Sequence, residues 1–191
     1  MTRRSRPETL SERPRAVVLC AGASSRMGSP KGLLPLDGVP LVRAHVDALR
    51  AVGLPVTVVL GPNALNHLTV LPWGVQIIFN ICWTRTGMFE SAFFGLDGAG
   101  VALVTPVDVP PARPETLRAL LDVEDNAVPT WNDQPGHPIR LTPPHPRIRL
   151  DSRLVGARRV PVSDPDCVRN LNRPEEWSAW LAERAARRGP A

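Results

Sequence analysis

The chain uses lysine once. Its 191 residues carry 23 cationic side chains, and all but Lys31 are arginine. Other absences exclude whole classes. No apolar run reaches 18 residues, so no membrane-spanning helix is expected. The opening "MTRRSRPETLSERPR" lacks the apolar stretch of a secretory leader and reads as a basic flexible tail over residues 1–14. Cys20, Cys82 and Cys167 are far apart and odd in number, which speaks against a zinc site or a disulfide framework and for a reducing, cytoplasmic setting. No internal repeat is visible.

The net charge of +5 resides at the ends. Residues 1–15 hold five arginines against two glutamates, and residues 183–191 three against one, which leaves 16–182 formally neutral. Basic ends without a basic face are poor footing for nucleic acid, and no such partner is expected.

Hydrophobic residues at 43% suit one domain with a substantial core, placed at residues 15–188. "RAVVLC" (15–20) reads as a strand buried on both faces. Residues 40–54 carry Leu41, Val42, Val46, Leu49 and Val52 at helical spacing and stop at Gly53. Strands are expected at 55–61, 75–80 and 100–108, with a short helix at 63–71 and helices at 87–98 and 113–123. Further strands are expected at 126–131, 136–141 and 159–163, and a closing helix at 173–188. Strands alternating with helices imply an α/β fold: a single-domain, doubly wound, mostly parallel sheet. Ligands in such sheets bind at the carboxyl ends of the strands, which selects the loops after Cys20, after Asn80 and around Asp108.

The first of these loops, "AGASSRMGSPKG", has glycines and small residues that let backbone N–H groups approach a phosphate. Its spacing matches neither G-x-G-x-x-G nor a P-loop. It carries two cations, Arg26 and Lys31. In a protein that otherwise uses arginine, a compact ammonium suits a single phosphate oxygen better than a planar guanidinium fork does. Asp108, at the end of a strand facing that loop, could hold Mg²⁺ or simply cap the turn before Val109-Pro110.

"LCAGASSRMGSPKGLLPLDGVPLV" resembles the nucleotidyltransferase signature L-x-A-G-x-S-x-R-M-G-x-x-K-x-L-L, most closely that of the MobA-like NTP transferases. The resemblance continues in register through "FNICWTRTGMFESAFFGL", "VDVPPARPETLRAL", "PTWNDQPGHPIRL" and "NLNRPEEW", over roughly residues 16–180. It implies a Rossmann-like nucleotidyltransferase fold and Mg²⁺-dependent transfer of a nucleoside monophosphate from an NTP to a phosphate-monoester acceptor, with molybdopterin as a candidate. It assigns Leu19, Ala21 and Gly22 to the base and ribose, Arg26 and Lys31 to the triphosphate, and Asn80 and Ser91 to the nucleoside border. Asp108 would hold Mg²⁺, with Asn172 a second metal contact and His137 on the acceptor side. Arg26, Lys31 and Asp108 form the implied catalytic set. "CAGAS" looks more like the cytidylyl branch's T-A-A-G than the guanylyl branch's L-A-G-G, which favours CTP. The alternatives are a sugar-1-phosphate nucleotidyltransferase and an inactive nucleotide-binding module.

The chain departs from the family pattern in three places. Phe89 and Glu90 stand where cytidylyl members often have small residues. Asn170 and Asn172 replace two aspartates, so a second metal contact there would lack charge. The stretch after Pro138 is shortened. His45 and His67 fall in helical patterns and are expected to be structural or exposed. The five tryptophans are expected in core or edge packing, and Arg153, Arg158 and Arg159 on a solvated face.

Overall fold

The computed structural model describes residues 13–85, 88–96, 99–145 and 154–188. Residues 1–12, Arg153, the side chain of Phe89 and residues 146–150 lie outside that description, as do the expectations attached to them.

The first strand, β1 (Arg15–Cys20), is the hub of the sheet. It pairs in parallel with β4 (Val56–Leu60) on one side and β6 (Ala102–Pro106) on the other, with Val18 opposite both Val58 and Thr105. Successive side chains of a strand point to opposite faces, and here both faces are covered. Ala16, Val18 and Cys20 enter one apolar cluster with Val58 and Leu60. Val17 and Leu19 enter a second with Val59 and Val104. Two-sided burial explains why β1, β4 and β6 read as continuous apolar runs.

Two short strands, β2 (Pro35–Leu36) and β3 (Val39–Pro40), form a small hairpin that leads into α1 (Leu41–Arg50). Leu41, Val42, Val46 and Leu49 of that helix lie in the first cluster. After β4 come α2 (Ala64–Leu68) and β5 (Gln76–Phe79), which pairs with β4 and forms the edge. The chain then crosses back through α3 (Met88–Leu96), whose Ala92 and Leu96 fill the second cluster, to β6. This reversal of strand order beside β1 is the switch point at which doubly wound sheets open a crevice.

Beyond β6 the sheet becomes mixed. Helix α4 (Pro114–Leu121) leads to β7 (Ala127–Trp131), a two-residue β8 (Gln134–Pro135) and β9 (Ile139–Leu141). Strand β9 lies antiparallel between β6 and β7, and β10 (Arg158–Pro161) pairs in parallel outside β7. The sheet is therefore mostly parallel, as expected, with β9 and the short β8 reversed. The closing helix, α5 (Pro174–Arg188), packs Trp177 and Trp180 into the first cluster. Trp73 departs from expectation: at 98% exposure it packs against nothing apolar enough to bury it.

A polar network holds the segment before α5. Buried Asp166 accepts from Trp180 Nε1 at 3.0 Å, and Arg187 Nη2 donates to both of its carboxylate oxygens at 2.9 and 3.0 Å. Buried Asp164 accepts from Arg113 N and Thr116 Oγ1 at the start of α4. Buried carboxylates persist when paired and hydrogen-bonded in this way, and these two fix where residues 164–172 run.

His45, on α1, is buried and donates Nε2–H to the carbonyl of Val109 at 3.0 Å, tying the helix to the loop after Asp108. Burial pushes its pKa from the ordinary 6.5 down to about 4, against the pull of Asp108. The folded state thus keeps His45 neutral where the unfolded chain takes up a proton. Above the unfolded value both states are neutral and the histidine contributes no slope; as pH falls from about 6.5 towards 4, stability is lost, by up to about 1.4 kcal/mol per pH unit. Denaturant midpoints at pH 7, 6 and 5 should therefore fall for the parent protein and fall less steeply for His45→Gln. Parallel curves would remove His45 from the acid sensitivity.

Candidate functional site

A cavity of about 370 Å³ opens at the carboxyl ends of β1 and β6. Its wall on one side is the glycine-rich loop, from Leu19 through Ser24, with Lys31. On the other are Pro106, Val107 and Asp108, and the far end carries Trp83, Thr84 and Ser91. The three loops selected by the strand-end rule are the ones that meet here.

The loop is shaped by close approaches. A Cβ on Gly61, at the end of β4, would lie 2.3 Å from the Ala21 carbonyl oxygen, so only glycine lets the two strand ends come together. The loop closes on itself when Lys31 N donates to Ser24 Oγ at 3.1 Å. Lys31 then begins a single 3₁₀ turn, Lys31–Leu33. A Cβ on Gly32 would meet Cys20 Sγ and His67 Nε2, each at 2.7 Å. The turn carrying the lysine is thus pressed against β1 and α2.

Lys31 reaches across the mouth of the crevice. Its Nζ donates to Asp108 Oδ2 at 3.1 Å and to Asn172 Oδ1 at 2.7 Å. The ammonium joins its own turn to two segments that lie 77 and 141 residues away in sequence. Asp108 is placed by the end of β6. Asn172 is placed by the backbone: Leu171 N donates to the Asp108 carbonyl at 2.6 Å, and Asn172 N and Arg173 N both donate to Glu176 Oε2 at 2.6 and 3.1 Å. Glu176 lies in the first turn of α5, where its charge also complements the helix dipole.

The remaining expected residues divide. Leu19, Ala21, Gly22 and Ser91 line the cavity. Asn80 is buried beside it: its Nδ2 donates to Ser91 Oγ at 2.8 Å and its Oδ1 accepts from Cys82 N at 3.0 Å. Its amide thus shapes the wall instead of forming it. Arg26 is exposed on the glycine loop and lies outside the cavity lining. His137 also lies outside the lining, though Asp108 is near enough to bias its charge. Burial holds its pKa down at about 4 while Asp108 pulls the other way, and its Nδ1 is buried without a hydrogen-bond partner.

His67 was expected to be merely structural or exposed, yet it lines the cavity. Its Nδ1–H donates to the Asn63 carbonyl at 2.9 Å, which leaves the Nε2 lone pair buried against Gly32 without a partner. Trp83 and Thr84 line the cavity too, from the turn after β5. The signal for Trp83 lay in the motif N-x-x-W; for His67 the sequence offers only a helical position. Cys20 lines the wall as an inert group, since burial, reinforced by Asp108, pushes its thiol up to about 12.

A crevice at the switch point of a doubly wound sheet, with a glycine loop, a lysine and a facing carboxylate, defines a nucleotide-handling α/β protein. The family model of the MobA-like NTP transferase domain matches residues 16–161, and the chain belongs to that family. A molybdenum cofactor guanylyltransferase of Yersinia pestis is 29% identical over 189 residues, covering 88% of this chain and 95% of that one. The bifunctional protein GlmU of Geobacter metallireducens is 35% identical over 114 residues, 56% of this chain but 24% of its own length. Among solved structures, a nucleotidyl transferase from Methanothermobacter superposes with a TM-score of 0.73 at 25% identity, over 89% of this chain and 96% of that one.

Proposed function

We propose that this protein transfers a nucleoside monophosphate from an NTP to the phosphate of a small-molecule acceptor and releases pyrophosphate. The observation that carries the reading is the convergence of the glycine loop, Lys31 and Asp108 on one crevice. In the step, an acceptor phosphate oxygen forms a bond to the α-phosphorus, the bond from that phosphorus to the bridging oxygen breaks, and its electron pair leaves with pyrophosphate. Such chemistry needs in-line positioning and cations against developing negative charge more than covalent help. Backbone N–H groups of the loop from Ala21 to Ser24 cradle the nucleotide, and Lys31 and Arg26 meet the phosphates. Ser91 borders the nucleoside, with Asn80 holding it in place.

The oxygen donors Asp108 and Asn172 converge on one ammonium, a set that fits a hard cation completed by phosphate oxygens and water. Among the described residues no three His, Cys, Asp or Glu gather into a metal cluster, so the nucleotide has to supply the rest. Mg²⁺ bound there would supply charge neutralisation at the phosphates. The nearby His137, neutral at physiological pH, faces the acceptor side. Relatives named molybdenum cofactor guanylyltransferases support a molybdopterin acceptor and a role in molybdenum cofactor biosynthesis. Among the described residues no helix is long and apolar enough to cross a membrane, which is compatible with the proposed cytoplasmic setting.

The base is the finer question. The loop "CAGAS" favours CTP through its likeness to the cytidylyl branch, whereas the names of the curated relatives favour GTP. Calorimetric titration with CTP and GTP in Mg²⁺ is expected to give tighter binding of CTP; a clear preference for GTP would move the protein to the guanylyl branch.

Three variants test the machinery by pyrophosphate release from NTP with molybdopterin and sugar-phosphate acceptors, each checked for folding by circular dichroism. Asp108→Ala is expected to abolish turnover, and full activity in folded variant protein would remove the carboxylate from the mechanism. Lys31→Arg keeps the charge but places a wide fork on a turn already pressed against Cys20 and His67. A displacement of about 1 Å costs on the order of a hundredfold in rate, so a loss of that size is expected. Arg43→Lys, an exposed cation paired with Asp47 on α1, should leave turnover unchanged. Parental turnover by Lys31→Arg would mean that charge alone suffices.

A further inference from the structure

The geometry points to a built-in cation: Lys31 fills the place between Asp108 and Asn172 that a divalent metal would take, and the neutral amide of Asn172 keeps it there, so metal enters only together with nucleotide. The inference rests on the reading of Asp108 as a metal ligand and concerns what that site does before substrate arrives.

Charge decides the matter. Asp108 contributes −1, Lys31 +1 and Asn172 nothing, so the constellation is neutral. Both oxygens that could ligate a metal accept from the lysine Nζ, at 3.1 and 2.7 Å. The lysine side chain is 12% exposed and that of Asp108 26%, so screening by solvent is partial. Among the groups close by, Glu176 carries a further negative charge, but its Oε2 is turned to the backbone N–H groups of Asn172 and Arg173 and not to the lysine. His45 and His137 are held neutral by burial, and so is the Cys20 thiol. A lone divalent cation entering here would have to break a lysine–carboxylate pair and remain beside the displaced ammonium. A triphosphate reverses the balance: its oxygens draw off the ammonium, free Asp108 Oδ2 and Asn172 Oδ1, and bring the remaining ligands. Asn172 is on this view a positioning residue for Lys31 in the empty protein, and it becomes a metal contact only when nucleotide is bound.

Mn²⁺ serves as the probe, because loss of its free-ion electron paramagnetic resonance signal reports binding without turnover. In the full-length protein without nucleotide, weak binding is expected. Asn172→Asp adds a carboxylate and Lys31→Met removes the competing cation while keeping the stem; each should tighten Mn²⁺ binding about tenfold or more, as loss of one unit charge at such range implies. Lys31→Met is the discriminating arm, since it adds no ligand. Linkage adds a second readout: a nucleotide that raises Mn²⁺ affinity by displacing lysine should raise it less in Lys31→Met than in the parent. Either CTP or GTP serves, which makes the test independent of base preference. Asp108→Asn placed on Lys31→Met should erase the gain. If Lys31→Met binds Mn²⁺ no better than the parent while Asp108→Asn still removes Mn²⁺ binding in the presence of nucleotide, the built-in cation is overturned and the metal reading of Asp108 stands. If the gain survives Asp108→Asn, the metal reading itself fails and this inference with it.

Discussion

One ammonium holds together parts of the chain that are otherwise far apart. Lys31 Nζ joins the turn after the glycine loop, the end of β6 and the segment before α5. Much of the local architecture serves to bring those three points within hydrogen-bonding range. Gly61 lets the ends of β1 and β4 meet, Gly32 lets the lysine turn lie against Cys20 and His67, and Glu176 holds the backbone of Asn172 and Arg173. The buried carboxylates of Asp164 and Asp166, tied to α4 and α5, deliver residue 172 to its place. Partly screened ion pairs are weak stabilisers by themselves. The value of this one lies in where it sits, and the surrounding packing is what confines it.

The lone lysine therefore has a local explanation. A single Nζ can bring three donors to bear from a compact centre, and here two of them already have oxygen acceptors. Arg43, paired with Asp47 on the outside of α1, and Arg184, paired with Asp37, show what arginine does elsewhere in the chain. The first site is open, and at the second the guanidinium, on a side chain 24% exposed, lies over the Trp180 ring, so each accommodates a fork. The turn at Lys31 is not open in that way.

The sequence made the first part of the fold readable because its signals are local. Two-sided apolar runs marked β1, β4 and β6, helical spacing marked α1, and Pro114 opened α4. The strand-end rule then found the three loops that line the cavity. What it could not supply were relations settled by tertiary contact. The reversed β9 is three residues long and has no periodicity to reveal its direction. His67 becomes part of the wall only because α2 lies over Gly32, and the inward turn of Asn80 to Ser91 and Cys82 is likewise a tertiary relation. Trp73, an aromatic with every compositional reason to be buried, follows α2 on a connection at the edge of the sheet where no layer covers it.

The reversed strand has one further consequence. Because β9 runs opposite to β6, the chain enters it at the edge where β6 ends, so His137 and the turn before it come to stand beside Asp108. The glycine loop and this entry turn sit on different stretches of backbone, linked by the end of β6 and by the segment before α5, where the Cys167 carbonyl accepts from His137 N and Asn172 Oδ1 accepts from Lys31 Nζ. Residues 132–138 make their hydrogen bonds to β7, to Cys167 and to Arg159, away from β1, β4 and the glycine loop. The architecture is modular in that sense: a glycine loop fixed by the central strands stands against a rim carried by other elements.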